Sequence, residues 1–451
     1  MQIVADLHIH SKYSRAVSQK MDLVEIAGWA VKKGISLVAI PDWTHPLFFR
    51  EIKQGLFEVS PGIFSLIKTD NPELKKIKFI FATEISSIYS QGGKVRRIHN
   101  LIFSPSIATA EKIINQFKNR GFNLMSDGRP IIGLSAKGLL ELILTVDQNC
   151  VLIPCHAWTP WFSIFGSKSG FDSIEECFGE LSNNIYAVET GLSSDPIMNW
   201  QIKDLENRSI ISSSDAHSGP KLGREATVFI PNNELRITNY EFSYDDIMGA
   251  VKKDPSGKLK IGYTIEFFPE EGKYHWSGHR SCNVRYTPKE VKEKGAICPK
   301  CGKLLTIGVE NRVVDLSEKI LEKKDLLFLE NKVGLTFVYD KEKKRIPFIS
   351  LIPLIEVLTE TNNGSPTKAL MEYEKLTAEF ASEFDILLKK PLEEIGAAAG
   401  EKLRSAVEII RKRQVFVDPG YDGVFGTVKI FGNNNRLGEK KLEEEKQPTL
   451  F

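Results

Sequence analysis

The chain has 451 residues, of which 42% are hydrophobic and 26% are charged. These proportions are ordinary for a globular protein and exclude wholesale disorder. A formal charge of +2, from 60 basic and 58 acidic residues, excludes nucleic-acid binding driven by overall charge, so any basic surface must be local. Six cysteines are too few for a disulfide scaffold in so long a chain.

Targeting and membrane segments are not expected. The first residues lack a cationic stretch followed by an apolar one, which argues against a signal peptide. The longest apolar stretch, around residues 346–358, is shorter than the roughly 20 residues of a membrane-spanning helix. We therefore expect a soluble, cytoplasmic protein.

The first half of the chain alternates short apolar runs with amphipathic stretches. Predicted strands lie at residues 3–5, 37–40, 78–82, 98–103, 151–154, 186–188 and 209–213. Predicted helices lie between them at about residues 23–33, 108–120, 137–147, 174–181 and 196–206. This alternation predicts an α/β fold of repeated βα units with a parallel sheet or barrel.

The later parts of the chain differ in character. Residues 271–313 are rich in Pro, Gly, basic residues and Cys, and residues 314–431 contain helical patterns at 366–390 and 393–413. Residues 432–451 are rich in Asn, Lys and Glu, which predicts a flexible tail. We therefore predict a first domain at 1–270, a zinc-binding segment, a mainly helical DNA-binding C-terminal region and a tail.

Imidazoles and carboxylates recur where the predicted strands end. These residues are His8, His10, Asp42, His45, Glu84, His99, His156, Asp215 and His217. Six of the eight histidines of the chain are among them. Since parallel strands bring their carboxyl ends to one rim, these side chains are expected to meet there.

Such a cluster favours a multinuclear metal centre. A single His-x-His pair has an ordinary structural explanation, but scattered structural histidines would not gather at equivalent strand ends. Mixed imidazole and carboxylate ligands suit zinc, manganese or iron better than calcium. Clustered cations can activate water and neutralise charge on a phosphate in its transition state. The chemistry to expect is phosphoester hydrolysis.

The same residues resemble those of the polymerase-and-histidinol-phosphatase (PHP) superfamily of metal-dependent phosphoesterases. The resemblance implies a distorted seven-stranded (β/α)7 barrel with two or three divalent cations (Zn, Mn or Mg). It implies catalytic roles for Glu84, Asp215 and His217. One metal would be held by His8, His10, Glu84 and Asp215, the second by Glu84, His99 and His156, and the third by His217 with part of 42–45.

Two departures from the PHP pattern concern this third metal. The usual Asp-His pair after the second strand is replaced by Asp42-Trp43-Thr44-His45, which shifts the histidine. The usual ligand a few residues beyond the His-x-His pair is missing from residues 11–16. The ligands of the third metal therefore stay open.

A second predicted metal site lies in the cysteine-rich segment. Cys298-Pro-Lys-Cys301-Gly is a knuckle in which two thiolates can bind one zinc and the glycine permits the tight turn. With His279 and Cys282 upstream, it predicts one structural zinc. His275 is an alternative fourth ligand, and a reduced redox pair is the alternative function. The neighbouring basic and aromatic residues suit nucleic acid, or else form an ordinary charged surface.

The chain ends in Gln447-Pro-Thr-Leu450-Phe451 behind a charged stretch at 439–446. Two apolar residues at a terminus call for something that buries them. The pattern Gln-x-x-Leu-Phe resembles the peptide by which bacterial repair and replication proteins bind the DNA sliding clamp. We therefore expect clamp binding through Gln447, Leu450 and Phe451.

Taken together, these features resemble the endonuclease Q family of DNA-repair enzymes over nearly the whole chain. The stretches that carry the resemblance are residues 6–11, 42–46, 214–218, 278–284, 297–302 and 419–426. The resemblance implies cleavage of double- or single-stranded DNA on the 5′ side of a deaminated base (uracil, hypoxanthine or xanthine) or an abasic site. Nothing in spacing or composition shows that specificity.

Substrate contacts can be suggested from position. Trp158 and Trp161 follow ligand His156 and are candidates to stack on an extruded base, or else form an aromatic loop packed on the barrel. Lys221 and Arg224 follow the His217 loop and could bind phosphates, or could simply be surface charges. In the C-terminal region, basic residues around 404–413 could follow the duplex backbone.

Two other functions compete with this one. A small-molecule phosphoesterase of the histidinol-phosphatase type would explain the barrel but leave the knuckle, the C-terminal region and the tail without a role. A non-catalytic, clamp-associated DNA-binding protein would not need the complete set of metal ligands.

Overall fold

The computed structural model describes residues 2–67, 69–232 and 241–432. Strands of the first part are β1 (Ile3–Asp6), β2 (Leu37–Ile40), β3 (Leu56–Ser60), β4 (Ile63–Leu66), β5 (Lys78–Gln91), β6 (Lys94–Phe103), β7 (Ile131–Ile132), β8 (Val151–Pro154), β9 (Ala187–Glu189), β10 (Ser209–Ile211), β11 (Ala226–Pro231) and β12 (Leu259–Glu266). Its helices are α1 (Leu23–Lys33), α2 (Pro46–Gly55), α3 (Pro72–Lys76), α4 (Ile107–Asn119), α5 (Ala136–Val146), α6 (Ile174–Phe178), α7 (Pro196–Trp200) and α8 (Tyr244–Val251).

The remaining strands and helices belong to the second part. The strands are β13 (Ser277–His279), β14 (Val284–Tyr286), β15 (Leu326–Glu330), β16 (Thr336–Asp340), β17 (Phe348–Ser350), β18 (Phe416–Asp418) and β19 (Thr427–Lys429). The helices are α9 (Pro288–Lys294), α10 (Val309–Leu316), α11 (Leu354–Thr361), α12 (Pro366–Phe380), α13 (Leu392–Ala399) and α14 (Glu401–Arg411). None of the helices within the described residues is long and apolar enough to cross a membrane.

Seven strands surround one axis and form the expected distorted barrel. β1, β2 and β5 pair in parallel, β6 is antiparallel to both β5 and β8, and β9 pairs in parallel with β10. The N–H of Ala157 donates to the Glu189 carbonyl (2.9 Å) and so joins β8 to β9. A parallel bridge between Ile9 and Ala216 closes the ring beyond β10 and β1. The predicted α/β fold is confirmed.

The reversed strand β6 was not predicted by the βα pattern. β5 and β6 form a long hairpin, in which Gln91 opposes Lys94 across Gly92 and Gly93. Both glycines have positive φ (61° and 74°), the conformation that tight hairpin turns require. The hairpin matters for the site because it carries Glu84 and His99 on adjacent strands.

Helix α1 shows how local signals in the sequence set element boundaries. The Asp22 side chain accepts hydrogen bonds from the N–H groups of Val24 and Glu25 and thereby caps the helix. Gly34 ends it in the left-handed conformation, at φ 86°. The helix occupies the predicted residues, and so do strands β2 and β8.

The C-terminal region is joined to the barrel by a continuous sheet. β17 pairs in parallel with β12, and β16 and β15 extend the sheet beyond it. The two predicted helices of this region are broken. The first ends at Phe380, and the second is divided at Gly400, where φ is 83°. A left-handed backbone cannot continue a helix, which is why one amphipathic pattern forms α13 and α14.

Candidate metal centre

Two imidazoles stand at the end of β1, at the mouth of the barrel. His8 and His10 are both almost completely buried. The Nε2 atom of His10 lies 3.3 Å from Oε2 of Glu84 and 3.1 Å from Oδ1 of Asp215. The Nε2 atom of His8 faces the same two carboxylate oxygens, at 3.8 and 3.7 Å. Residues from three separate segments, the end of β1, the interior of β5 and the loop after β10, therefore converge on one point.

Glu84 lies between this point and a second group of ligands. Its Oε2 faces His8 and His10, whereas its Oε1 contacts Nδ1 of His99 and lies 3.2 Å from Nε2 of His156. Nδ1 of His99 and Nε2 of His156 are 3.3 Å apart. One carboxylate can therefore serve two adjacent cations.

Besides a set of His8, Cys155 and Glu189, three sets of potential ligand atoms result at the barrel mouth, each with its atoms within 4.8 Å of one another. They are His8, His10 and Glu84; Glu84, His99 and His156; and His10, Asp215 and His217. Sequence reasoning assigned the members of these sets to metals, and the structure brings them together.

Unsatisfied atoms indicate that the centre is built for cations. Nε2 of His8, Nε2 of His10 and Oδ1 of Asp215 are buried and close together, but within the described part of the chain none of them forms a hydrogen bond of acceptable geometry. Buried polar atoms are normally paired, so three orphans at one point call for a ligand. Imidazole nitrogens and carboxylate oxygens are suitable donors for divalent transition metals. The residues of the centre therefore fit the divalent cations that the sequence predicts.

The charges of the centre are complementary even without cations. Burial alone would lower the pKa of His8, but the Glu189 and Asp215 carboxylates outweigh it and raise that pKa well above its usual value. Burial would raise the pKa of Glu84, but His99 and Arg129 hold it well below its usual value. The acidic groups stay anionic, as metal ligands must.

A buried carboxylate that sequence reasoning missed orients two of the ligands. Glu189 ends strand β9, and its oxygens lie 3.1 and 3.0 Å from Nδ1 of His8. It also accepts a hydrogen bond from the N–H of His156 (2.9 Å). Ligand histidines need such partners to fix their ring orientation. The residue directly follows the predicted strand at 186–188, so the rule that found the other ligands could have found it.

Asp42 plays a comparable part and does not reach the ligand sets. Its Oδ1 lies 3.2 Å from Nδ1 of His10. Its Oδ2 accepts hydrogen bonds from the Ser11 N–H and hydroxyl and from the Ser14 hydroxyl. The structure thus gives Asp42 a position behind His10, whereas the sequence predicted a direct ligand.

His45, the other residue expected near the third metal, lies elsewhere. Its Nε2 is 3.2 Å from the carbonyl oxygen of Met125, and its ring stacks on Tyr13 with centroids 4.4 Å apart. It belongs to none of the ligand sets within the described residues. The two-residue insertion between Asp42 and His45 carries the histidine to the start of α2.

Arg129 is a further member of the centre that the sequence did not indicate. Its Nη1 donates to Oε2 of Glu84 at 3.1 Å. The side chain is one quarter exposed, so the guanidinium lies between the buried carboxylate and solvent. It follows no predicted strand, and no spacing signal would have identified it.

The predicted substrate-binding residues are placed differently from one another. Trp158 is 1% exposed and donates from Nε1 to Asn199, so it is a core residue and cannot stack on a substrate base. Trp161 is partly exposed and packs edge-on against Tyr274, with centroids 5.6 Å apart. The aromatic loop therefore contributes one accessible ring, because the other fills the interior of the barrel.

The two basic candidates are engaged within the protein. Lys221 forms an ion pair with Glu356 (2.6 Å) and thereby joins the barrel to α11. The Arg224 Nε donates to the carbonyl of Ser214, next to ligand Asp215. Lys221 is therefore paired, whereas the partly exposed Arg224 has no carboxylate partner among the described residues.

The basic residues around 404–413 are also engaged within the protein. The buried Arg411 donates to four backbone carbonyls, and Arg404 and Lys412 pair with glutamates of their own helix. These contacts stabilise the helices, and none of the three side chains is a free charge for the duplex backbone.

The cysteine-rich segment forms a second cluster. His279, Cys282, Cys298 and Cys301 have their ligand atoms within 4.8 Å of one another, and Nδ1 of His279 is 3.4 Å from Sγ of Cys301. Burial alone would raise the pKa of Cys298, but the N–H groups of Lys300 and Cys301, with His279, lower it to about 6. A thiol that ionises readily is a suitable zinc ligand.

The alternative fourth ligand is excluded by its position. His275 is fully buried, and its Nε2 lies 3.7 Å from Oε2 of Glu310. The structure therefore favours His279 in the Cys3His group. The predicted clamp-binding residues Gln447, Leu450 and Phe451 lie outside the described residues.

Comparisons with known proteins give a consistent result. No protein-family model matches the chain. The chain is 29% identical over 282 residues to the Methanocaldococcus jannaschii protein MJ0043, an alignment that covers 61% of this chain and 31% of MJ0043. It thus spans about a third of the length of that relative. It is 26% identical over 440 residues to Bacillus subtilis YqxK, covering 95% and 99% of the two chains.

Two solved structures share the fold over 95% of this chain. One is the lesion-specific endonuclease PfuEndoQ from Pyrococcus furiosus, with 27% identity, a TM-score of 0.78 and 95% of its chain covered. The other is endonuclease Q in complex with a 27-mer duplex that has an abasic lesion at the active site, with 27% identity, a TM-score of 0.77 and 96% of its chain covered. This chain is therefore similar in fold, over nearly its whole length, to endonuclease Q structures.

Proposed function

We propose that the chain is a metal-dependent DNA endonuclease that cuts the phosphodiester on the 5′ side of a deaminated base or an abasic site. The observation that carries the proposal is the similarity to a lesion-specific endonuclease over 95% of both chains. The convergent ligand sets at the barrel mouth support it, because a nuclease of this type needs several cations at one point.

The ligand sets suggest how the cations would be divided. His8, His10, Glu84 and Asp215 would hold one, and Glu84, His99 and His156 would hold a second. His217, together with His10 and Asp215, would hold a third. Bound there, divalent cations supply an activated water and neutralise the charge of the phosphate.

The protein's own groups orient this centre. Glu189 and Asp42 hold the rings of His8 and His10 by their Nδ1 atoms and so direct both Nε2 atoms inward. Nδ1 of His217 lies 2.9 Å from the carbonyl oxygen of Asp215, which places its proton there and leaves Nε2 as the acceptor or ligand atom. Arg129 keeps Glu84 ionised through a direct contact.

DNA is favoured over a small phosphoester by the parts outside the barrel. A related enzyme has been solved with lesion-containing duplex DNA at its active site. In this chain, residues of the second part border the barrel loops, as in the contact of Trp161 with Tyr274 and the hydrogen bond from Arg312 to the carbonyl of Phe165. A histidinol-phosphatase-type enzyme would have no use for this addition.

The decisive experiment is incision of end-labelled duplexes that each carry a single uracil, hypoxanthine or abasic site. We expect one cut on the 5′ side of the lesion, with a 3′-hydroxyl and a 5′-phosphate, and no cut in an unmodified duplex. Histidinol phosphate is tested in parallel. Release of phosphate from it without any cut in DNA would favour the small-molecule alternative.

We further propose that residues 447–451 bind the DNA sliding clamp. The proposal depends on the sequence pattern alone. A pull-down with purified clamp, using the full chain and a chain that ends at residue 446, tests it. Equal retention of both proteins would contradict the proposal.

A further inference from the structure

One surface feature has no role in the proposed chemistry: the turn formed by residues 419–426, Pro-Gly-Tyr-Asp-Gly-Val-Phe-Gly. This turn precedes β19 and lies against the segment that leads into the zinc cluster. Its backbone is tied to residues 270–276 by four hydrogen bonds. They run from the N–H groups of Gly420, Gly423, Gly426 and Trp276 to the carbonyls of Glu270, Lys273, Glu271 and Gly420, respectively.

Side chains hold the turn from the other direction. Asp422 accepts hydrogen bonds from the N–H of Arg280 (2.7 Å) and from the hydroxyl of Thr306 (2.6 Å). The Tyr421 hydroxyl donates to Asn283 (2.7 Å). Because Arg280, Asn283 and Thr306 all belong to the segment around the zinc cluster, the turn is fixed to a rigid base.

The glycines show how closely the turn is packed. A Cβ at position 426 would lie 2.0 Å from the carbonyl oxygen of Glu270, and one at position 420 would lie 2.4 Å from that of Gly272. Only glycine allows backbones to approach so closely. The close packing of the turn against the protein therefore requires its glycines. Two residues of the turn, Val424 and Phe425, point away from this packing.

Those two residues are hydrophobic and exposed. Val424 is 39% exposed, and Phe425, at 65%, is among the most exposed large apolar side chains in the described part of the chain. A disordered loop could bury such a ring against its own chain, but a turn held by so many hydrogen bonds keeps it outside. A large apolar group presented on a rigid support is typical of a contact surface.

The surroundings of Phe425 are cationic. The Nζ of Lys273 lies 4.5 Å from the centre of its ring, and the Arg280 guanidinium lies beside Gly423 of the same turn. Neither Lys273 nor Arg280 forms an ion pair with a carboxylate of the described residues, and both are exposed. Two unpaired cations beside an apolar ring suit a partner that combines phosphates with stacked bases.

A chain of aromatic contacts leads from this turn to the metal centre. Phe162 packs on ligand His99, with ring centroids 4.7 Å apart, and the neighbouring Trp161 contacts Tyr274. Tyr274 in turn reaches the turn at Gly423. Contacts through Tyr274, Trp161 and Phe162 therefore link the turn to ligand His99.

From this geometry we propose that Phe425 is a wedge that enters the base stack beside the lesion while Lys273 and Arg280 bind the flanking phosphates. The inference depends on the proposed endonuclease function and identifies its partner as duplex DNA opened at the lesion. A base must leave the stack to be inspected, and an inserted apolar side chain occupies the space that it vacates. Val424 adds apolar surface next to the ring.

The wedge has a specific kinetic signature. Phe425 can act as a wedge only where neighbouring bases are stacked and paired. Its removal should therefore slow cleavage of duplex DNA and leave cleavage of single-stranded DNA nearly unchanged. We expect F425A to cut a uracil-containing, fully paired duplex at least about tenfold more slowly in kcat/KM, and a single-stranded uracil oligonucleotide within about threefold of the parent enzyme. F425L should retain most of the duplex activity, since an aliphatic side chain can also serve as a wedge.

A matched control is available in the barrel. Phe57 lies on β3, at the edge strand of the sheet, and is 48% exposed. F57A removes another exposed phenylalanine ring (48% against 65% for Phe425) from a different surface and should leave both activities unchanged. Equal losses on duplex and single strand for F425A, or no loss on either, would overturn the wedge.

A binding measurement separates this inference from the proposed function. A lesion duplex with 2-aminopurine next to the lesion is bound by the cleavage-deficient D215A protein, and base unstacking is read as a rise in fluorescence. D215A/F425A should bind, as measured by anisotropy, without that rise. An equal rise in both proteins contradicts the wedge. Absence of nicking by the parent enzyme contradicts the proposed function, and the fluorescence result still decides the wedge.

A protein partner or a second copy at Phe425 would give a different outcome. F425A would then retain duplex cleavage and duplex unstacking, while a parent dimer seen by sedimentation would become a monomer. That combination would reject the wedge in favour of a protein interface.

Discussion

The two clusters of potential metal ligands in this protein are built in opposite ways. Ligands of the barrel centre come from separate strands and loops spread over residues 8–217 and are buried or only partly exposed. Ligands of the cysteine cluster lie within residues 279–301, and Cys301 is exposed. The first is assembled by the whole barrel, whereas the second is nearly complete in one short segment. A buried centre can be oriented by further residues such as Glu189, and a local one depends on its own turns.

The sharpest test of the comparison is to remove a ligand of the barrel centre. Asp215→Ala should lower nicking of a lesion duplex by at least about a thousandfold, because it removes the carboxylate that faces both His8 and His10 and is proposed to hold two of the cations. Binding of the duplex, measured by anisotropy, should persist. Asp245→Ala, which removes an exposed acid from the first turn of α8, is the control. Persistent nicking by the Asp215 variant would show that the centre is wrongly assigned.

The corresponding change in the cysteine cluster should have a local effect. Cys298→Ser should release one zinc per chain and speed amide hydrogen exchange in residues 277–306 by about a hundredfold, since metal binding and folding are coupled there. Exchange in the barrel strands should stay unchanged. His275→Gln, which alters the nearby histidine outside the Cys3His group, should retain the zinc. Zinc loss from that variant would contradict the assignment of His279.

The orienting role of Glu189 predicts an intermediate effect. Glu189→Gln keeps the shape of the side chain but removes the charge that faces Nδ1 of His8. Activity or metal affinity should fall about 10- to 100-fold, the range found for such supporting residues. Metal titration of nicking reports the change, with the exposed Glu206→Gln as control. An unchanged titration would mean that His8 is oriented without Glu189.

The smallest expected effect concerns Glu310 in helix α10, which follows the cysteine cluster in the chain. Burial raises the pKa of Glu310 to about 8, and its Oε2 has no hydrogen-bond partner within the described residues. A protein with an acid whose pKa is higher in the folded than in the unfolded state becomes less stable as the pH rises from the unfolded pKa through the folded pKa. As the pH rises from about 6 to about 8.5, the free energy of unfolding of Glu310→Gln should therefore increase by about 2 kcal/mol relative to that of the parent. Urea unfolding at both pH values measures it.

The exposed Glu318 of the same region provides the control for this measurement, as Glu318→Gln. If the free energies of unfolding of the Glu310 variant and of the parent change with pH in the same way, Glu310 is not the cause of the pH dependence.

Much of the metal chemistry was accessible from the sequence. Five of the expected ligands follow or lie within short apolar runs: His8, His10, Glu84, His99 and Asp215. The polarity of the strands alone places such residues at one rim of the barrel. The Cys3His group follows from spacing, because a knuckle is closed by its own backbone turn. In both cases the positions of the ligands follow from local backbone geometry: the turn of the knuckle, or the repeated direction of the strands.

Other features depended on contacts between distant segments. Only the folded chain shows that Trp158 is buried, that Lys221 pairs with Glu356 and that Asp42 stands behind His10. A sequence states which side chains are available, but a burial or an ion pair is decided by whatever packs against them. Arg129 reaches Glu84 for the same reason, without any periodicity that could announce it.

By itself, the sequence determined the chemical inventory: a set of imidazoles and carboxylates at strand ends, a zinc knuckle and a glycine-rich turn. The tertiary structure decided which of these act together. It paired Glu84 with both groups of histidines, added Glu189 and Arg129, and fixed Phe425 on the outside. Local backbone geometry is encoded over a few residues, whereas the environment of a side chain is the sum of contacts from many segments, and those exist only after folding.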